Sequence, residues 1–196
     1  MIEQLWPGHP ALQNFGVEYK MKINSISLEN SVSIKCDGYL PVIITFGGND
    51  GPTTWVPEYW RIGDFKRSIV EISICPTTGT ICKIVVTLLN KMLTVLPAYE
   101  CLPAGKGIPN ASLSIWQEDK GRIDVNQEVY GCLIDNEFSV LFSNADELRL
   151  QKSSCGRVAF LIDDSGILKG FEVGNLSQQD IENIKYATKQ PMYPRN

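Results

Sequence analysis

The chain has 196 residues, a net charge of −4 and 43% hydrophobic residues, which suffices for one folded domain with its own core. No stretch reaches the roughly 18 apolar residues of a membrane span, and the acidic balance disfavours nucleic-acid binding through phosphates, which needs a clustered basic face. The chain has six cysteines, no CxxC pair, and first residues (MIEQLWPGHP) that lack a signal-peptide pattern. We therefore expect free thiols and a cytoplasmic protein.

In the first half of the chain, alternation of apolar and polar residues predicts strands over 17–23, 32–36 and 40–46, the first two paired as a hairpin. The aromatic-rich segment 55–65 (WVPEYWRIGDF) predicts a loop that leads into a short strand. The clearest element is a hairpin over 67–89, with turn residues at its centre. Its second strand is so continuously apolar that we expect it to lie centrally, with both faces covered.

In the second half, prolines and glycines between 90 and 119 predict a long connection. Strands are predicted over 129–134 and 138–142, and a second hairpin over 158–173. Ser177 followed by Asp180 has the spacing of a capping box and predicts one helix. The expected fold class is mainly β (α+β): antiparallel sheets or a β-sandwich of hairpins, with a C-terminal helix.

The two hairpins resemble each other. A shift of 87 residues aligns Gly79 with Gly166 and places apolar residues of both strands in register. One interpretation is a single domain, 1–196, built from two similar hairpin modules at about 17–96 and 122–188. The alternative is that any two hairpins with a glycine-closed turn align in this way.

Residues suited to catalysis are few. The single histidine, His9, lies in an irregular segment and is expected to be a surface residue, and a histidine-based metal site needs more ligands than the chain offers. A distant carboxylate pair such as Glu58 with Asp124 stays open for glycoside hydrolysis. We predict no catalytic residue, no metal ligand and no cofactor.

The segment with the strongest binding character is aromatic and acidic. Tryptophan and tyrosine are enriched at the energetic centres of protein interfaces, although aromatic residues also plug the ends of β cores. Asp163 and Asp164 lie at the turn of the second hairpin. On one interpretation they are simple turn residues, and on the other they are acidic contacts to a partner. The predicted partner-binding residues are Trp55, Glu58, Tyr59, Trp60, Asp163 and Asp164.

The segment Ile69-Val-Glu-Ile-Ser-Ile-Cys-Pro-Thr-Thr-Gly-Thr-Ile-Cys-Lys-Ile-Val-Val86 and the later run 160–173 (FLIDDSGILKGFEV) resemble hairpins of small bacterial proteins. Some of these proteins resemble immunity proteins encoded beside polymorphic or contact-dependent toxins. The resemblance covers about a quarter of the chain. It implies a cytoplasmic protein that binds and blocks one toxin, without identifying that toxin.

Three functions follow, in order of preference. The first is an immunity protein that occludes the active site of a basic toxin domain, without nucleic acid or membrane as partner; charge would speed the encounter and buried aromatic residues would slow dissociation. The second is an assembly module that forms homo-oligomers through edge strands. The third is an enzyme that uses distant carboxylates or a reactive cysteine.

Overall fold

The computed structural model describes residues 19–28, 31–47, 55–97, 100–116, 121–142 and 149–189. His9 and the end of the chain lie outside these ranges. The described residues form a mainly β fold with one helix near the C-terminus, which confirms the expected fold class. Within the described ranges, no helix is long and apolar enough to cross a bilayer.

Fifteen strands and one α-helix follow one another along the described chain. They are β1 (Ile23–Ser27), β2 (Val32–Lys35), β3 (Val42–Phe46), β4 (Glu58–Gly63), β5 (Ser68–Ile74), β6 (Ile81–Leu89), β7 (Met92–Leu93), β8 (Glu100–Lys106), β9 (Ile108–Ala111), β10 (Arg122–Asn126), β11 (Tyr130–Ile134), β12 (Glu137–Leu141), β13 (Arg149–Cys155), β14 (Val158–Asp163), β15 (Leu168–Val173) and α1 (Gln178–Ala187).

Two large sheets contain the same order of strands. The first sheet runs β10-β4-β5-β6-β3-β2, and the second, from its opposite edge, runs β8-β13-β14-β15-β12-β11-β7. Successive strands are antiparallel in the order β4-β5-β6-β3-β2 of the first sheet and in the order β13-β14-β15-β12-β11 of the second. A parallel strand is added at the equivalent edge of each, β10 beside β4 and β8 beside β13. One copy of this five-strand order comes from each half of the chain.

The inner faces of the two sheets pack on a shared core. Phe46 of the first sheet contacts Phe160 of the second, with ring centroids 5.5 Å apart, and Trp60 meets Phe142 edge-on at 5.5 Å. Aromatic pairs in such tilted or edge-on geometry add to the free energy of burial. Alternate residues of the central strands supply this core, because successive side chains of a strand point to opposite faces.

The first predicted hairpin is wrong. Residue Ile23 begins β1, which pairs with β9 instead of β2, and the true hairpin joins β2 to β3. The β1–β9 ribbon touches the turns of both large hairpins, since Ile23 N–H donates to the Gly166 carbonyl (2.7 Å) and Ala111 N–H to the Gly79 carbonyl (2.8 Å). The two turns therefore lie at one end of the sandwich, joined by this ribbon.

Two further expectations need correction. The segment 90–119 contains β7, β8, β9 and a 3₁₀ turn, Leu113–Trp116, instead of a long irregular connection. Strand β6 is central in its sheet, but only its inner face is covered: Lys83 and Thr87 on its outer face are exposed. The apolar side chains Val85 and Leu88 made that strand look two-sided in the sequence.

Candidate functional site

Trp60 lies in the core. This position corrects the prediction that placed Trp60 in a surface patch. The residue is 2% exposed and lies against Phe142. Register explains this position, because Trp60 pairs with Ile72, whose side chain also points into the sandwich. The interpretation of the aromatic segment as a core plug therefore holds for this residue.

The carboxylates of Glu58 and Asp163 both accept hydrogen bonds from backbone N–H groups. Glu58 Oε2 accepts a hydrogen bond from the Gly121 N–H at 2.6 Å, which ties the start of β4 to the segment entering β10. Asp163 Oδ1 accepts from the N–H groups of Ser165 and Ile167, both at 2.9 Å, and closes the β14–β15 turn. Both carboxylates thus already have strong partners inside the chain.

The remaining predicted residues do not form one patch. Tyr59 is half-buried on the outer face of the first sheet, and Trp55 is half-buried just before β4. Asp164 is exposed in a turn of the second sheet. Of the six predicted residues, Tyr59 is the one on the broad outer face of the first sheet, on β4 next to the edge strand β10.

That surface, which we name the open face, consists of two rows of side chains that cross the first sheet. Cross-strand register defines both rows, since directly opposite residues point to the same side. Most of these side chains are half-buried or exposed; Ser73, between Tyr59 and Lys83, is the buried exception. The rows are Arg122, Tyr59, Ser73, Lys83, Thr45 and Ser33, and Asp124, Arg61, Glu71, Val85, Ile43 and Lys35.

The open face has the anatomy of a protein interface. Ile43 and Val85 form an apolar centre that Glu71 and Lys35 flank in the same row, which is the arrangement of an apolar core within a polar rim. Tyr59 lies in the other row, on β4, two strands from Val85. Basic residues outnumber acidic ones in the two rows by four to two: Arg61, Arg122, Lys83 and Lys35 against Asp124 and Glu71.

One ion pair orders the edge of the open face. The Arg61 guanidinium donates two hydrogen bonds to Asp124, from Nε at 2.8 Å and from Nη2 at 2.6 Å, and Phe65 lies 5.5 Å from its charge. The hydrogen bond to Asp124 raises the pKa of Arg61, an effect that burial opposes. Bidentate pairs of this kind fix side-chain orientation, so Arg61 and Asp124 form a rigid rim. Asp124 is thereby occupied, which disfavours its pairing with Glu58 as glycosidase carboxylates.

A thiol at the turn of the first large hairpin is the described group best suited to nucleophilic chemistry. Burial would raise the pKa of Cys75, but hydrogen bonds from the side chains and backbone of Thr77 and Thr78 lower it to about 7. The residue is 8% exposed, so its thiolate is shielded from reagents. Within the described ranges, no group of three or more His, Cys, Asp or Glu side chains is arranged to hold a metal ion.

Sequence reasoning identified Tyr59 but missed the other residues of the open face. The available signal was the outward positions of the strands, which alternate with core residues. Which of these positions become neighbours depends on the order of the strands in the sheet, which the sequence does not show. No protein-family model matches the chain, and no curated protein sequence matches it.

Proposed function

We propose that this chain is a cytoplasmic immunity-type binding protein without catalytic activity, which neutralises a toxin by covering its active site with the open face. The observation that supports the proposal is the apolar centre of the open face, formed by Ile43 and Val85 and flanked by Glu71 and Lys35, with Tyr59 on the same face two strands away. A flat sheet face of this kind offers a rigid surface, so little conformational entropy is lost on binding.

The charge of the open face refines the expected partner. The net charge of −4 led to the expectation of a basic toxin domain. Locally, however, the open face carries two more basic than acidic side chains. Because complementary potentials speed association and select partners, the toxin surface that meets the open face is proposed to be acidic, as in an active site lined by carboxylates.

The test uses the protein encoded by the gene next to that of this chain, co-expressed and purified with it. Tyr59→Ala and Val85→Lys are each expected to weaken the complex by about 30-fold or more, the effect of losing one strong interface contact. Tyr186→Ala is the matched control, since Tyr186 is an exposed tyrosine on α1 and belongs to neither row of the open face. Affinity is measured by calorimetry, and inhibition by the remaining toxin activity.

Two results would contradict the proposal. In the first, both open-face variants retain wild-type circular dichroism and melting temperature and still bind and inhibit as the parent does, which would move the interface elsewhere. In the second, the neighbouring product does not bind and the chain sediments as a stable oligomer at micromolar concentration, which would favour the assembly module.

A further inference from the structure

The two large sheets differ at one edge. In the second sheet the short strand β7 lies beside β11 and runs parallel to it. Strand β2 has the position in the first sheet that β11 has in the second, but the order of strands in the first sheet ends at β2. Among the described residues, the place equivalent to β7 is therefore unfilled. It lies on the outer side of β2, which we name the β2 edge.

Cross-strand register extends this equivalence to single residues. The 87-residue shift aligns Ile84 with Phe171. Two strands further towards the edge, the residue in the row of Ile84 is Ile34, and the residue in the row of Phe171 is Gly131. Gly131 is paired with Met92 of β7. Ile34 therefore has the position of a residue that, in the second sheet, has a neighbouring strand.

The backbone of Ile34 presents its hydrogen-bonding groups to the β2 edge. Gly47 N–H donates to the Ser31 carbonyl at 3.1 Å, so the odd-numbered residues of β2 pair with β3 and the even-numbered ones point away from it. In the second sheet the equivalent Gly131 N–H donates to the Lys91 carbonyl at 2.8 Å. No described residue accepts a hydrogen bond from Ile34 N–H. The β2 edge thus offers the donor that β11 uses, without its acceptor.

Helix α1 limits the β2 edge at one end. The Asn183 side chain donates to the Cys36 carbonyl at 3.0 Å, and this carbonyl is the next outward-pointing group after those of Ile34. The edge that α1 leaves open is therefore limited to Val32–Lys35. A short strand suffices at such a place, since β7 consists of two residues.

The side chains of β2 indicate what an added strand must present. Val32 and Ile34 pack against the core and are only half-buried, so apolar residues beside them would complete their burial. Ser33 and Lys35 are exposed on the open face, where basic side chains outnumber acidic ones. A segment that alternates apolar and acidic residues therefore matches both sides of β2.

We propose that the β2 edge binds a short extended segment of the partner, which runs parallel to β2 and presents acidic side chains on the side of the open face. The inference rests on the proposed function, because it assigns one element of the partner that covers the open face. In this mode of recognition, main-chain hydrogen bonds give affinity and alternate side chains give specificity. A second copy of this chain fits less well, because its β2 would bring serine and lysine to that side instead of acidic residues.

Hydrogen exchange of single amides tests the proposal in the chain alone and in its purified complex with the product of the neighbouring gene. Ile34 N–H is expected to exchange at least about tenfold more slowly in the complex, because it gains an acceptor. Asp124 N–H is the matched control. It lies on β10, the opposite edge strand, and points away from β4, because Gly121 and Gln127 are the residues that bond to β4. Its exchange is expected to stay unchanged.

A proline at the same position gives a second readout. Ile34→Pro removes the outward N–H and leaves the hydrogen bonds between β2 and β3 in place, which is why edge strands tolerate proline at such positions. The variant is expected to bind the neighbouring product about tenfold more weakly than Ile34→Thr, which keeps the N–H while it loses apolar contact. Circular dichroism and melting temperature check that both variants fold; if Ile34→Pro does not, exchange in the wild-type chain decides.

The outcomes separate this proposal from the proposed function. If the complex forms but Ile34 N–H exchanges as in the free chain, or if folded Ile34→Pro and Ile34→Thr bind equally, the partner adds no strand and only this proposal is overturned. Protection of Ile34 N–H in the chain alone that rises with concentration would instead place a second copy at the β2 edge. If the neighbouring product does not bind, the proposed function fails and this proposal fails with it.

Discussion

At the scale of single residues, Asp64 shows how one carboxylate shapes the first sheet. Its Oδ1 accepts hydrogen bonds from the N–H groups of Arg67 at 2.6 Å, Ser68 at 2.8 Å and Lys66 at 3.1 Å. These bonds support a β4–β5 turn in which Phe65 has a φ of 54°, a conformation that costs energy for a bulky residue. Burial would raise the pKa of Asp64, but the backbone hydrogen bonds and the Arg67 side chain together hold it well below its usual range.

Asp64→Asn is expected to lower the stability of the chain at neutral pH and to flatten its acid dependence. Because the pKa of Asp64 is lower in the folded than in the unfolded chain, its contribution is present above the unfolded value of about 4 and is lost as pH falls towards the folded value. Urea unfolding at pH 7 and at successively lower pH measures both effects. Asp164→Asn, at an exposed turn position, is the control; equal acid dependence of Asp64→Asn and wild type would contradict the account.

At the scale of elements, α1 owes its start to a reciprocal cap and its position to the core. The Ser177 hydroxyl accepts from the Asp180 N–H, and the Asp180 carboxylate accepts from the Ser177 N–H at 3.0 Å, so two otherwise unpaired donors are satisfied. Ile181 and Ile184 pack into the shared core, and the Asn183 side chain donates to the Cys36 carbonyl at 3.0 Å. Local capping and tertiary contacts therefore act on the same helix.

Ser177→Ala is expected to lower the free energy of unfolding by about 1 kcal/mol, because the N-cap acceptor is lost. Ser177→Asp is expected to retain most of the stability, since aspartate is also a good N-cap. Chemical denaturation followed by circular dichroism checks both. A loss by Ser177→Asp as large as that of Ser177→Ala would show that the cap does not control the helix start.

At the scale of the whole molecule, the β1–β9 ribbon joins the two sheets at one end. Gly79 is central to that junction: its φ is 75°, and its carbonyl accepts from Ala111 N–H at 2.8 Å. A Cβ added to Gly79 would lie 2.2 Å from the Ala111 carbonyl oxygen. Only glycine therefore allows the ribbon to approach the β5–β6 turn.

Gly79→Ala is expected to destabilise the chain by about 3 kcal/mol or more, because backbone strain and a clash with another strand add together. Gly121→Ala is the control: its φ is 93°, but nothing lies within 4 Å of the added Cβ, so strain alone of about 1–2 kcal/mol is expected. Thermal and urea unfolding of the two variants separate the cost of backbone strain from the cost of the clash. Equal losses would mean that the ribbon moves away at little cost.

For the candidate site, the sequence indicated an aromatic segment but not which of its side chains reach the surface. Tyr59 lies on the open face, whereas Trp60, one residue later, lies in the core, because adjacent strand residues face opposite sides. The aromatic segment contains no signal that tells the two faces apart. Ile43 and Val85 are 42 positions apart in sequence, and only antiparallel pairing of β3 with β6 brings them together.

Local chemistry in the sequence determined the elements that depend on near neighbours: the two large hairpins, the capped helix and the mainly β class. These follow from turn residues and from side-chain periodicity, which act within a few residues. Tertiary structure alone decided the pairing of β1 with β9, the parallel edge strands, the repeated strand order, and the neighbours of Tyr59. The physical reason is that these contacts join distant segments, and packing of the whole core selects among pairings that local sequence leaves nearly equal.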